Sequence, residues 1–262
     1  MIKKWFQNKK KMKLFKDEYS KELIEQDILN FDHKKAELEL MEKHELIPSD
    51  AQNIAKEVRV QSVIRVIKEA LGDNVLTREE IDKINKAFNS LELTHEDLPK
   101  KVIDELSENY LYYSIENSPL DELVQNDINI TLPKTERCYL QQNNLKWVEQ
   151  RSVTKRVNYG GITARVKIAK GIYYSAGSIS PSVQKENIWK VIDAGDFYLT
   201  NKRIILTGNK TRNIRLNKIL NMEVFKDGLL ITKDAGNPVL LQGGLNFYAL
   251  YLLLYRLMND AA

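Results

Sequence analysis

The stretch DAGDFYLTNKRIILTG, residues 193–208, decides the fold. Within it Phe197–Thr200 and Arg203–Thr207 read as a pair of short strands rich in branched and aromatic residues, with turn signals at Ala194-Gly195-Asp196 and Gly208-Asn209. The same pattern extends outward. Arg137–Leu140, Leu145–Val153, Thr163–Ile168, Ile172–Ser175 and Trp189–Ile192 precede it, and Ile214–Leu216, Asn221–Phe225, Leu229–Lys233 and Val239–Gln242 follow. Short strands at this spacing predict an antiparallel sandwich or partly open barrel. The apolar positions Leu245, Tyr248, Ala249, Leu252 and Leu253 then predict one amphipathic helix over Gly243–Asn259, which caps the open end of the sheet.

Upstream the period changes from two to three and four. Leu23, Ile24, Asp27, Ile28, Phe31, Leu38 and Met41 recur at helical spacing between Asp17 and His44. Ser49 or Asp50 can cap a second helix, with Ile54, Val58, Ser62 and Val66 on its apolar face, ended by Gly72-Asp73-Asn74. Thr77 and Glu80 form a capping box, and Thr94 with Asp97 starts another helix in the same way. The expected class is α+β: a basic arm over 1–16, an acidic helical bundle over 17–113, a connector over 114–136, and a β domain with its terminal helix over 137–262.

Charge is segregated along the chain. Residues 1–16 hold seven Lys and no acid, 17–133 hold 13 Lys/Arg against 27 Asp/Glu, and 134–262 hold 20 Lys/Arg against 9 Asp/Glu. Such separation speaks of partners rather than of fold. The basic parts can seek an external anion or dock on the acidic part of the same or another chain. An apolar fraction of 43% and a charged fraction of 29% rule out wholesale disorder. The single Cys138 cannot build a disulfide framework, and no signal-peptide pattern is visible. The expectation is a cytoplasmic protein, with peripheral attachment to the inner membrane face as an option.

Several chemistries find no support. His33, His44 and His95 are scattered and have no partner at ligand spacing, so no metal is expected. No phosphate loop, calcium loop or hydrolase nucleophile motif occurs. The reading is therefore a non-enzyme with no cofactor and no small-molecule substrate.

Three groups of residues point instead to binding. In the arm, Lys3, Lys4, Lys9, Lys10, Lys11, Lys13 and Lys16 surround Trp5, Phe6, Met12, Leu14 and Phe15. Apolar side chains can enter a lipid interface while lysines sit on anionic headgroups; a solvated helix end, or an arm packed on the acidic half, accounts for the same pattern. In the β half, Arg151, Lys155, Arg156, Arg165 and Lys167 flank the Gly160-Gly161 turn, and Lys202, Arg203, Lys210, Arg212 and Arg215 form a second group. Guanidinium forks on a hairpin rim can grip an anion, although a polar sheet face has the same appearance. Tyr159, Tyr173 and Tyr174 leave base stacking open, and with it an alternative reading as a nucleic-acid binder through the arm and the basic β face.

The run 193–208, followed by Ile214–Ile219 and Gly228–Thr232, resembles bacterial PH-like domains related to GRAM domains, over Cys138 to Met258. The resemblance implies a non-catalytic module that binds lipid headgroups or protein segments. Residues 72–80, GDNVLTREE, resemble TerB-like domains, which place carboxylates for metal where this chain offers Asp73, Glu79, Glu80 and Asp82. Those acids equally suit the start of a helix. The expected function is binding or scaffolding of an anionic partner, either an acidic protein segment or an anionic membrane surface.

Overall fold

The structure, a computed structural model, describes residues 2–25, 31–73, 75–152, 164–169, 172–176 and 187–260. It is α+β and divides into two compact units, 1–110 and 111–262.

The first unit is helical: α1 (Ile2–Glu25), α2 (His33–Lys43), α3 (Pro48–Ala70), α4 (Arg78–Ser90) and the first part of α5 (Lys100–Asn117). Residues 2–16 are thus part of the same helix as residues 17–25. Phe15, Tyr19 and Leu23, four residues apart, stand on one face of α1 and are completely buried. Each such side chain contributes about 2–3 kcal/mol by leaving water. α3 packs against α1, α2 and α4 and is buried on several sides, through Ala51, Ile54, Val58, Val63, Ile64, Val66 and Ile67 among others.

The helical pattern from Asp17 to His44 is carried by two helices, α1 and α2, and the inward face of α2 is His33, Ala36 and Leu40; Leu38 is exposed. Both α2 and α4 end where a glutamate, Glu45 or Glu92, takes a positive φ. Leu46 and Leu93 then donate back to Met41 and Phe88, which satisfies carbonyls that a helix end leaves open. α3 begins with Pro48 at its first turn and Ile47 before it, so neither Ser49 nor Asp50 is its cap. The Thr77 box is present, with Glu80 N–H donating to Thr77 Oγ1 at 3.2 Å and Thr77 N–H to Glu80 Oε2 at 2.9 Å. The Thr94–Asp97 box caps a single 3₁₀ turn, and α5 starts after Pro99.

Among the described residues the second unit has nine strands and α6 (Phe247–Asp260). The strands are β1 (Cys138–Ser152), β2 (Ala164–Ala169), β3 (Ile172–Ala176), β4 (Asn187–Thr200), β5 (Arg203–Thr207), β6 (Thr211–Arg215), β7 (Ile219–Phe225), β8 (Gly228–Lys233) and β9 (Val239–Gln242). Seven form one antiparallel sheet in the order β6-β5-β4-β1-β9-β8-β7, and β2 with β3 forms a separate hairpin. One face of the sheet, including Leu145, Trp147, Phe197, Leu199, Ile204, Leu206, Ile231 and Leu241, buries against Phe247, Leu250, Leu254 and Leu257 of α6. Asn246 caps that helix by accepting from the N–H groups of Tyr248 and Ala249, so it begins later than the apolar pattern implied.

Two pairs of expected strands merge into long ones. The first pair joins as β1 through a bulge at Gln142–Leu145, with Asn144 at φ 59°. The second joins as β4, where the expected turn at 194–196 continues the strand. A Cβ on Gly195 would lie 2.1 Å from the Thr207 carbonyl oxygen, so the glycine is there for close approach and not for a turn. The segment 114–136 is also more than a spacer. Tyr112 and Ile115 at the end of α5 join the core below α6, and Ile128, Ile130 and Leu132 cover Cys138, Tyr198 and Ile205 on the other face of the sheet.

Candidate functional site

The β4–β5 turn, Leu199-Thr200-Asn201-Lys202-Arg203, is the centre of the family-like run, and its side chains build the turn first. Thr200 Oγ1 accepts from the N–H groups of Lys202 (3.1 Å) and Arg203 (3.0 Å). Asn201 ties the turn to the chain before β1, accepting from Arg137 N–H at 3.0 Å and donating to the Thr135 carbonyl at 3.3 Å.

Glu136 lies beneath this turn with only 7% of its surface exposed. Its carboxylate accepts from Thr200 Oγ1 at 2.8 Å and from Arg203 Nε and Nη2 at 2.9 and 3.1 Å. Burial alone would raise its pKa, but the paired guanidinium and the hydroxyl outweigh that and hold it below its ordinary value. The fork fixes Arg203 in one orientation. Lys202 Nζ donates to Thr135 Oγ1 at 2.6 Å, and Arg215, opposite Arg203 on β6, is exposed.

Together these residues line an open depression of about 590 Å³, walled by Pro133, Glu136, Asn201, Lys202, Arg203, Arg215, Leu216 and Asn217. It contains three cations and one carboxylate, a local charge of +2. β6 beside it is an edge strand of the sheet.

The second basic group is therefore split. Lys202, Arg203 and Arg215 sit at the depression, whereas Lys210 and Arg212 lie at the far end of β6, around Asp193. The Asp193 carboxylate accepts from the N–H groups of Asn209 (2.9 Å), Lys210 (3.1 Å) and Ala194 (3.0 Å) and from Arg212 Nε (3.3 Å). Those bonds, the one from Asn209 foremost, hold its pKa below the ordinary range. Arg212 also lies 3.8 Å from Glu149, so its charge is spent on the fold.

Of the first basic group, Arg151 is the member whose side chain is among the described residues. Arg151 pairs with Glu149 at 2.7 Å on β1, whose bonded neighbours are β4 and β9 and not β2. Arg165 and Lys167 are on the β2–β3 hairpin, two residues apart, opposite Ser175 and Tyr173. Lys155 and Arg156, with Tyr159 and the Gly160-Gly161 turn, lie outside the described residues, as do the side chains of Arg165, Lys167, Tyr173, Tyr174, Lys3 and Lys4.

Along α1, Lys11 and Lys16 face the bundle and pair with Glu45 and Glu57, while Trp5, Phe6, Lys9, Lys10 and Lys13 face outward. Of the acids near Thr77, Glu80 serves its capping box and Asp73 accepts from Val75 N–H. Among the described residues no cluster of His, Cys, Asp and Glu could hold a metal ion. No protein-family model matches the chain, and comparison with curated proteins finds no match.

Proposed function

We propose that this chain is a non-enzymatic binding protein of PH-like, GRAM-like kind, whose basic β unit recognises an acidic protein segment at the Lys202–Arg203–Arg215 depression. The observation that carries the reading is the charge left over there. Glu136 is already committed to Arg203, so the remaining +2 awaits an external anion. The depression is open, unlike the enclosed clefts that hold small molecules. It also borders an edge strand whose main-chain groups can pair with an extended segment, with carboxylates reaching Lys202 and Arg215. The chemistry of the site is ion pairing and hydrogen bonding, with Arg203 held ready by its fork.

The test is fluorescence anisotropy of a labelled Asp/Glu-rich peptide titrated with the full chain. Binding should weaken with salt and fall at least about tenfold in the Lys202→Ala, Arg215→Ala double variant, since each charged contact contributes about 1 kcal/mol or more. Absence of binding, or binding unchanged by the double substitution, refutes the assignment.

A further inference from the structure

The outward face of α1 is left uncovered by the helical bundle. Trp5 and Phe6 are 54% and 61% exposed and meet edge to face at 5.0 Å. Lys9 Nζ stands 4.1 Å from the centre of the Trp5 ring, and Lys10 and Lys13 are exposed on the following turns. The inward face of the same helix is anchored. Phe15, Tyr19 and Leu23 are buried, and Lys11 and Lys16 are paired with bundle acids at 2.5 and 2.6 Å. The structure thus sorts the lysines of one helix into a set neutralised by the fold and a set that, with two large aromatic rings, is presented to the surroundings.

We infer that this face docks the protein on an anionic lipid surface, with Trp5 and Phe6 entering the headgroup boundary and Lys9, Lys10 and Lys13 resting on acidic headgroups. Charge complementarity names the sign of the partner, and the residue types name its class. All three cations are ammonium groups on long stems, which reach up to headgroups while their methylenes follow the rings inward. Tryptophan is the side chain best suited to a boundary that is apolar on one side and wet on the other. Stacking on a nucleobase requires an open ring face, and Lys9 covers one face of Trp5. Among the described residues no helix is long and apolar enough to cross a membrane, so the helix lies on the surface. The inference does not depend on the proposed peptide site.

Each lysine near such a surface is worth about fivefold in partitioning, and three together about a hundredfold. The experiment is flotation of the full chain with vesicles containing roughly one-third phosphatidylserine, and with pure phosphatidylcholine vesicles, at about 0.1 M salt. The chain should float with the first and not the second. Lys9→Gln, Lys10→Gln, Lys13→Gln should abolish flotation, and Trp5→Ala, Phe6→Ala should reduce it at least about tenfold. Both sets change exposed positions, so the helical circular dichroism should be intact. Lys202→Ala, Arg215→Ala should float as the parent does, which separates this face from the peptide site. Failure of the full chain to float, flotation indifferent to the aromatic pair, or displacement from vesicles by duplex DNA with no blue shift of Trp5 emission would overturn the inference.

Discussion

Replacing Glu136 by alanine tests the construction of the β4–β5 turn. The carboxylate is almost fully buried and receives three hydrogen bonds, two of them from one guanidinium. A bond to a charged group is worth about 1.5–3 kcal/mol, and orphaning a buried charge costs about 3–5 kcal/mol. Here the orphan is Arg203, whose side chain is 34% exposed, so water recovers part of the loss. The expected cost is about 3 kcal/mol, or about 1.5 M in urea midpoint at an m-value of about 2 kcal/mol/M. Unfolding of the β unit can be followed by the emission of Trp147, which is 3% exposed. The pH dependence sharpens the test. Because the folded pKa of Glu136 is lowered, the stabilisation is fully present above the unfolded value near 4.5 and is lost as pH falls through the folded value. Parent and Glu136→Gln should therefore converge in acid. A cost under about 1 kcal/mol, or a gap that persists in strong acid, refutes the reasoning.

Two further outcomes follow from close packing and from a buried imidazole. Gly195→Ala and Gly208→Ala place a Cβ 2.1 Å from the Thr207 oxygen and 2.4 Å from the Ala194 oxygen, so each should cost about 3 kcal/mol or more in urea unfolding. Gly244→Ala meets nothing within 4 Å and should be close to neutral. His33 is buried, with Arg59 Nη1 at 2.7 Å from its Nδ1, and burial first and Arg59 second push its pKa below 6.5. Its neutral form supports the helical unit above pH 6.5, and that support drains as pH falls, by at most about 1.4 kcal/mol per pH unit. Far-UV melts of His33→Gln should show a weaker loss between neutral and mildly acidic pH than the parent; an identical slope would count against this.

What the sequence disclosed was what its local chemistry determines. The Thr77 box joins residues three apart, and the apolar period of α3 needs no partner to be recognised. The long strands were hidden because Asn143-Asn144 and Ala194-Gly195 carry turn-like residues for other reasons: a bulge in one case and a crossing carbonyl in the other. The ends of α2 and α4 escaped notice because glutamate, not glycine, takes the positive φ. At the candidate site, Lys202, Arg203 and Arg215 were legible as charge. Glu136 was not, since it lies 67 residues from Arg203 in the chain and only the sheet brings them together. In α1 the composition showed lysines among aromatics, and only packing on the bundle shows which of them are already neutralised.

The last turns of α5 and the covering residues 128–132 bear on how this chain can be dissected. A fragment cut at Cys138, where the family-like pattern begins, would strip Ile115, Leu120, Leu123 and Val124 from one core cluster and Ile128, Ile130 and Leu132 from the other. It would also discard Glu136, leaving Arg203 without its fork. The compact unit starts near Leu111, so its structural boundary lies some distance upstream of its recognisable one. A truncation to the strands alone would be an incomplete object, prone to aggregate through the sheet face it uncovers.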